Sequence, residues 1–293
     1  MNVGLGLPIS HTPTLLEWAR RADAGPFTTL GLLDRLVYDN PEPLVTLAAL
    51  AGATARIRVQ TEVLLAPLRD PVLLAKQAAT LDRISGGRFT LGIGVGLRED
   101  DYTAAGVDFR RRGLRLDAHM AALRRIWTDA ARPGIGGPAP HRPGGGSHAV
   151  GPAPHRPGGP EVLFGGFRPA ALRRTARWGD GFLCAAPLEG AGQLFHRVER
   201  CWQDEGRAGR PRLVAQVNVA LGPDAVVDEA QREIRAYYGD GDYTDQAVRR
   251  TITDRRRLRD TIAAFGDLGA DEVILYCWSA HPTQVERLAD AVA

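Results

Sequence analysis

The chain has 293 residues, 44% of them hydrophobic and 24% charged, an ordinary globular composition that sets aside disordered and fibrous classes. Its 37 basic and 34 acidic residues leave a formal charge of +3, without the continuous basic stripe of a nucleic-acid binder. No stretch approaches the ~18 uninterrupted apolar residues of a membrane span, so neither nucleic acid nor membrane is an expected partner.

In chain order, strand and helix patterns alternate. The opening MNVGLGLPISHTPTLLEW lacks the basic n-region of a secretory signal; NVGLGLP (2–8) reads as a strand, followed by a helix over 13–24. TTLGLLD (28–34) precedes helical PLVTLAALAGAT (43–54), and RIRVQTEVLL (56–65) precedes PVLLAKQAATLDRI (71–84). RFTLGIGVG (88–96) leads to a helix over 114–128, and EVLFGG (161–166) to PAALRRTARW (169–178). GFLCAA (181–186) leads to EGAGQLFHRVERCWQDEG (189–206). RLVAQVNVAL (212–221) is followed by AVVDEAQREIRAYYG (225–239) and by a helix over 255–268; EVILYCW (272–278) is followed by a last helix from near 282. Strands alternating with helices imply a parallel sheet, and eight such strands close a (β/α)8 barrel. The expectation is one α/β barrel over 1–293 with a Pro/Gly-rich insert at about 133–160.

In that insert the nonapeptide GPAPHRPGG occurs at 137–145 and again at 151–159. It is low complexity, since no such unit could bury a core. Joining the helix after strand four to strand five, it should lie on the N-terminal face, opposite the catalytic loops. A flexible linker is expected, although His141, His148 and His155 also permit a metal tract. Cys184, Cys201 and Cys277, with no C-x-x-C, indicate neither a disulfide framework nor a zinc site. A cytoplasmic location is expected.

The glycines of LGIGVG alternate at strand period rather than at the turn spacing of a dinucleotide fingerprint. Phe89, Leu91, Ile93 and Val95 face one way; Thr90, Gly92, Gly94 and Gly96 face the other. Glycine inside a strand marks close approach by a ligand or by another backbone. A bare face at the C-terminal end of a barrel strand favours a slot for something flat, the competing reading being relief of crowding at the barrel centre. The run RRTITDRRRLRD (249–260) reads as a solvated helix face, and the stretch 221–254, with its glycine-punctuated YYGDGDYTDQ (237–246) between two helices, as a mobile cover over the mouth.

PVLLAKQAATLDRISGGRFTLGIGVG, REDDYTAAGVDFRRRGLRLDAHMAALRRIW and GGFRPAALRRTARWGDGF closely resemble the bacterial luciferase-like superfamily. The resemblance runs from Asn2 to the final helix. It implies a barrel that holds the isoalloxazine ring of FMN or of the deazaflavin coenzyme F420 at its C-terminal mouth, the two cofactors being equal expectations, and a homodimer. It also implies a bulge with a non-proline cis peptide on strand three, at Glu62–Val63, where relatives often carry a smaller first residue. By the same resemblance Val95 and Gly96 line the ring, beside Gly94 on the bare face, and the Gly165–Gly166 loop with Arg168 takes the cofactor phosphate. A glycine-opened helix N-terminus is a sensible anion site on its own.

The departures concern catalysis. After strand two stand Asp34 and Arg35, where many relatives have an acidic residue followed by histidine. Arginine cannot exchange protons near neutral pH, so Arg35 is expected to stabilise an anionic reduced ring or clamp a substrate carboxylate. Some F420 dehydrogenases place a glutamate just past strand four, where Leu97 stands here. His11, just past strand one, is a catalytic candidate against the alternative of a structural role. The expected activity is hydride transfer to, or oxygen activation on, a small organic substrate. A strictly F420-dependent reductase and a non-catalytic flavin-binding barrel are the alternatives.

Overall fold

The computed structural model describes residues 1–10, 12–130 and 150–293. His11, His141, His148 and the first nonapeptide copy, 137–145, lie outside these. The strands are β1 (Asn2–Gly6), β2 (Thr29–Leu32), β3 (Arg58–Thr61), β4 (Leu64–Leu65), β5 (Phe89–Gly94), β6 (Glu161–Gly165), β7 (Gly181–Cys184), β8 (Arg212–Val219) and β9 (Glu272–Cys277). Every pairing is parallel and the ladder closes on itself, β1 joining β2 and β9, and β5 joining both β3 and β4. β3 and β4 are two halves of one barrel position, interrupted at Glu62–Val63, so the barrel has eight strand positions. The helices are α1 (Leu15–Ala24), α2 (Pro43–Gly52), α3 (Pro71–Ile84), α4 (Glu99–Ala104), α5 (Arg112–Ala130), α6 (Pro169–Trp178), α7 (Leu188–Asp204), α8 (Asp224–Tyr238), α9 (Asp242–Arg250), α10 (Arg255–Asp267) and α11 (Thr283–Val292).

The helices start where the chain supplies a stop and a cap. Pro71 follows Asp70, whose carboxylate accepts from the amides of Val72 and Leu73 at 2.9 and 2.8 Å, satisfying donors that a helix leaves unpaired. Asp254 does the same for Arg257 at α10. Alternate strand residues such as Leu5, Leu30, Val59, Leu91, Val162 and Val273 are fully buried and belong to the same apolar core as the helix residues Trp18, Leu74 and Trp127.

Charge fills the N-terminal end of the barrel interior. Glu161 receives Arg58 at 2.7 Å, Arg212 at 2.6 Å and the Thr90 hydroxyl at 2.8 Å. Arg212 also pairs with the fully buried Glu272, which accepts from the Thr28 hydroxyl at 2.6 Å. These residues sit at or beside the starts of β2, β3, β5, β6, β8 and β9, and they tie the strands together below the mouth.

The second nonapeptide copy lies on the N-terminal face, as expected, but it is not a loose linker. The amides of His155 and Arg156 donate to Asp82 at 2.7 and 3.4 Å, and Arg124 donates to the Gly158 carbonyl at 2.9 Å. Gly159, at φ +111°, lies so close to the Trp127 ring that a Cβ would overlap it. The basic run 249–260 is also corrected. It is two helices, because Ile252 leaves helix to bridge Val219 of β8 in parallel fashion before Asp254 caps α10. α4 and α9 were not expected as separate helices.

Candidate active site

The peptide Glu62–Val63 is cis, at the position expected. The bulge is held on both sides: the Glu62 amide donates to the Leu32 carbonyl at 2.8 Å, and the Leu65 amide donates to the Asp34 carboxylate at 2.8 Å. It also occupies the glycine face of β5. A Cβ on Gly92 would overlap the Thr61 carbonyl, and one on Gly94 would come within 2.5 Å of Val63 Cγ2. Val63 likewise stands 2.9 Å from where a Gly165 Cβ would be. The bare face is therefore not an open slot at these two levels. The neighbouring barrel position fills it: at Gly92 a backbone carbonyl, and at Gly94 the Val63 side chain, enters where a Cβ would be. Gly96 is left-handed, φ +67°, and a Cβ there would meet Leu65 at 2.8 Å, so its glycine answers a backbone requirement too. The structure thus brings Val63, Gly94 and Gly165 together at the mouth, with Val95, Gly96 and Gly166 next to them in the chain.

Asp34 and Arg35 are committed to the protein. Asp34, raised above the usual carboxylate range by burial, accepts from Arg69 at 3.0 Å as well as from Leu65. Arg35 Nε pairs with Asp101 at 2.6 Å, Nη1 donates to the Tyr237 carbonyl at 2.9 Å, and Nη2 donates to the Val37 carbonyl and to Asp100, each at 3.3 Å. Asp101 in turn accepts from the amides of Leu36 and Val37 at 2.9 and 2.7 Å. The expected clamp on a substrate carboxylate is corrected: all three nitrogens of this buried guanidinium are used to pin the loop after β2 to α4 and α8.

The open space lies across the barrel from β5. A cavity of about 480 Å³ has Gln216, Asn218 and Tyr276 among its polar lining, with Phe167, Tyr238 and Tyr243 as aromatic walls. Of these, Tyr238 and Tyr243 belong to the segment expected as a cover, and Gln216, Asn218, Tyr276 and Phe167 are additions that the sequence did not single out. Tyr276 is buried and its hydroxyl has no hydrogen-bond partner among the described residues. Arg250 and Arg257 also line the cavity; both are exposed and, among the described residues, their guanidinium groups make no ion pair. α8 and α9 form the cover expected from YYGDGDYTDQ. They are joined through Gly239 and Gly241, at φ +74° and +144°, and Tyr237, Tyr238, Tyr243 and Trp278 make edge and tilted ring contacts 4.8–5.8 Å apart. Backbone hydrogen exchange over 238–246 should be fast in the ligand-free protein and slow on cofactor binding; equal protection in both states would exclude a closing motion.

Behind the cavity floor lies Glu62. The side-chain amides of Gln60 and Gln216 donate to its two carboxylate oxygens. Its burial, only partly offset by those donors, pushes its pKa up to about 8.

Beside the cavity is the start of α6. Gly166 (φ +136°) and the cavity residue Phe167 precede Arg168 and Pro169. Among the described residues no side chain caps this helix, and its first turn carries no acidic residue, so its amides and the exposed Arg168 suit an anion.

A closed parallel barrel with an uncapped helix start and an aromatic cavity at the C-terminal ends of its strands has the layout of a barrel enzyme. The chain belongs to the luciferase-like monooxygenase family, whose model matches residues 4–292. A Mycobacterium tuberculosis protein is 30% identical over 200 residues, and the match covers 65% of this chain and 66% of that one, just under two thirds of its length. The flavin-dependent trigonelline monooxygenase oxygenase component of Acinetobacter baylyi is 35% identical over 89 residues, 30% of this chain and 25% of that protein. Among solved structures, a monooxygenase from Streptomyces bottropensis superposes with a TM-score of 0.80 at 23% identity, over 100% of this chain and 96% of that one. An F420-dependent secondary alcohol dehydrogenase gives 0.77 at 16% identity, over 100% and 99%. Both likenesses establish the shared fold. Among the described residues, no helix is long and apolar enough to cross a membrane.

Proposed function

We propose that this chain is an oxidoreductase that binds reduced FMN or coenzyme F420 at the barrel mouth and acts on a small organic substrate. The observation that carries this is the adjacency of an uncapped, glycine-opened helix start to an aromatic cavity whose floor holds an unpartnered phenol. Val63, Val95 and Gly96 would border the ring, and Gly165, Gly166, the α6 amides and Arg168 would hold the phosphate. The bound cofactor supplies two electrons, for hydride transfer or for oxygen activation; the protein supplies position and exclusion of water. Tyr238 and Tyr243 on the cover would shield the ring from solvent. The aromatic walls and the unpaired Arg250 and Arg257 favour a planar substrate carrying an anionic group.

Titrating the apo-protein with FMN and with F420, followed by tryptophan fluorescence, should give saturable quenching by at least one of them. Arg168→Ala should weaken that ligand roughly tenfold, a loss of ~1.4 kcal/mol. No quenching by either would overturn the proposal. Oxygen uptake with the reduced cofactor then separates oxygenase from strict reductase, and absence of turnover with any planar acid would indicate a non-catalytic binder.

A further inference from the structure

Glu62 is the anomaly of the barrel interior. A fully buried carboxyl occupies the bulge, against Gly31 of β2, and both its oxygens are bound by amides. The two amides differ in what lies on their far side. Gln60 is fully buried, and its own oxygen has no hydrogen-bond partner among the described residues. Gln216 is half-buried and lines the mouth cavity, as does Tyr276, whose hydroxyl is buried and unpartnered.

A carboxylate can only accept, so an ionised Glu62 holds the Gln216 amino group inward and leaves the Gln216 oxygen toward the cavity. A protonated carboxyl can also donate. It can then take the Gln216 oxygen as acceptor, and the amide turns its amino group to the cavity. Gln60 has no open side on which to make the same turn. We propose that Glu62 is a positioning residue for the cavity ligand, its proton setting whether Gln216 presents a donor or an acceptor beside the Tyr276 hydroxyl. This rests on the cofactor reading above only for the identity of the ligand. The groups facing Glu62 are Gln60 on β3, Arg212 and Gln216 on β8, and Glu272 and Tyr276 on β9. Arg212 favours the ionised carboxyl, while Glu272 and burial oppose it, which places the exchange within a range where the protein can be studied.

An isoalloxazine edge is rich in carbonyl acceptors, so the donor state should bind it better. FMN affinity of the wild-type protein, measured by tryptophan quenching from pH 7 to 9.5, should fall about tenfold as the pH rises through about 8. Glu62→Gln, which keeps the shape and cannot ionise, should give a flat profile. In the ligand-free protein the side-chain amide NMR signals of Gln216, assigned by their loss in Gln216→Ser, should shift over the same range and stay fixed in Glu62→Gln. A Gln216 signal that ignores pH, or FMN affinity with the same pH profile in wild type and variant, would overturn the inference. If FMN fails to bind at any pH, the cofactor reading falls for FMN, and the Gln216 signal in the ligand-free protein still decides the proton switch.

Discussion

Gly92→Ala should not accumulate as a stable folded protein. Its Cβ would overlap the Thr61 carbonyl, a backbone atom at the entry to the bulge, and would also stand 2.8 Å from Leu183 Cδ1. The same two residues are joined by a hydrogen bond from the Thr61 hydroxyl to the Gly92 carbonyl at 2.6 Å, so separating the strands breaks that bond. Overpacking a core usually costs about 1–3 kcal/mol; with a backbone as the obstacle the loss should exceed the upper figure. Gly94→Ala is the contrast, because its obstacle is a side chain, Val63 Cγ2. Pairing Gly94→Ala with Val63→Ala should restore most of any lost thermal stability. If Gly92→Ala melts within ~2 °C of wild type, glycine at 92 is not there for the neighbouring strand, and an open slot at that level returns as the better reading. Gly96→Leu would not separate the two readings, since a left-handed backbone at φ +67° strains any side chain placed there.

Arg212→Met should unfold the barrel at markedly lower temperature without touching the cavity lining. Removing the guanidinium leaves Glu272, fully buried, and Glu161 facing each other across the N-terminal end with Arg58 as the remaining cation. Breaking one member of a buried ionic cluster costs about 3–5 kcal/mol, since a charge is left without its partner. At this chain length that corresponds to a fall of roughly 10 °C in the melting temperature. Adding Glu272→Gln should recover part of the loss by removing the stranded charge. An Arg212→Met melt equal to wild type would show that the cluster contributes nothing to stability. Glu62 is the contrast: in the barrel interior Glu161 and Glu272 are neutralised by guanidinium groups, whereas Glu62 is bound by the amides of Gln60 and Gln216.

The alternation of strand and helix, the eight barrel positions and the placing of the second nonapeptide copy on the N-terminal face all followed from local pattern. Periodicity and proline–acid caps such as Asp70–Pro71 are set by neighbours in the chain. So was the glycine alternation at 92, 94 and 96, and with the family resemblance so were the bulge at Glu62–Val63 and the helix start after Gly166. The polar residues at alternate positions of QVNV and the tyrosine of YCW are visible signals for the cavity lining at Gln216, Asn218 and Tyr276. By themselves they do not mark a cavity, because an inward position cannot be told from an outward one within a single strand. Only the closed barrel decided that Gly92 faces a carbonyl rather than a ligand, because that contact joins residues 31 positions apart. Only tertiary contacts could show that Arg35 is consumed by Asp101 and the Tyr237 carbonyl, 66 and 202 residues away. A charged side chain has the same reach whether it meets substrate or protein, and what it meets depends on where distant segments are packed.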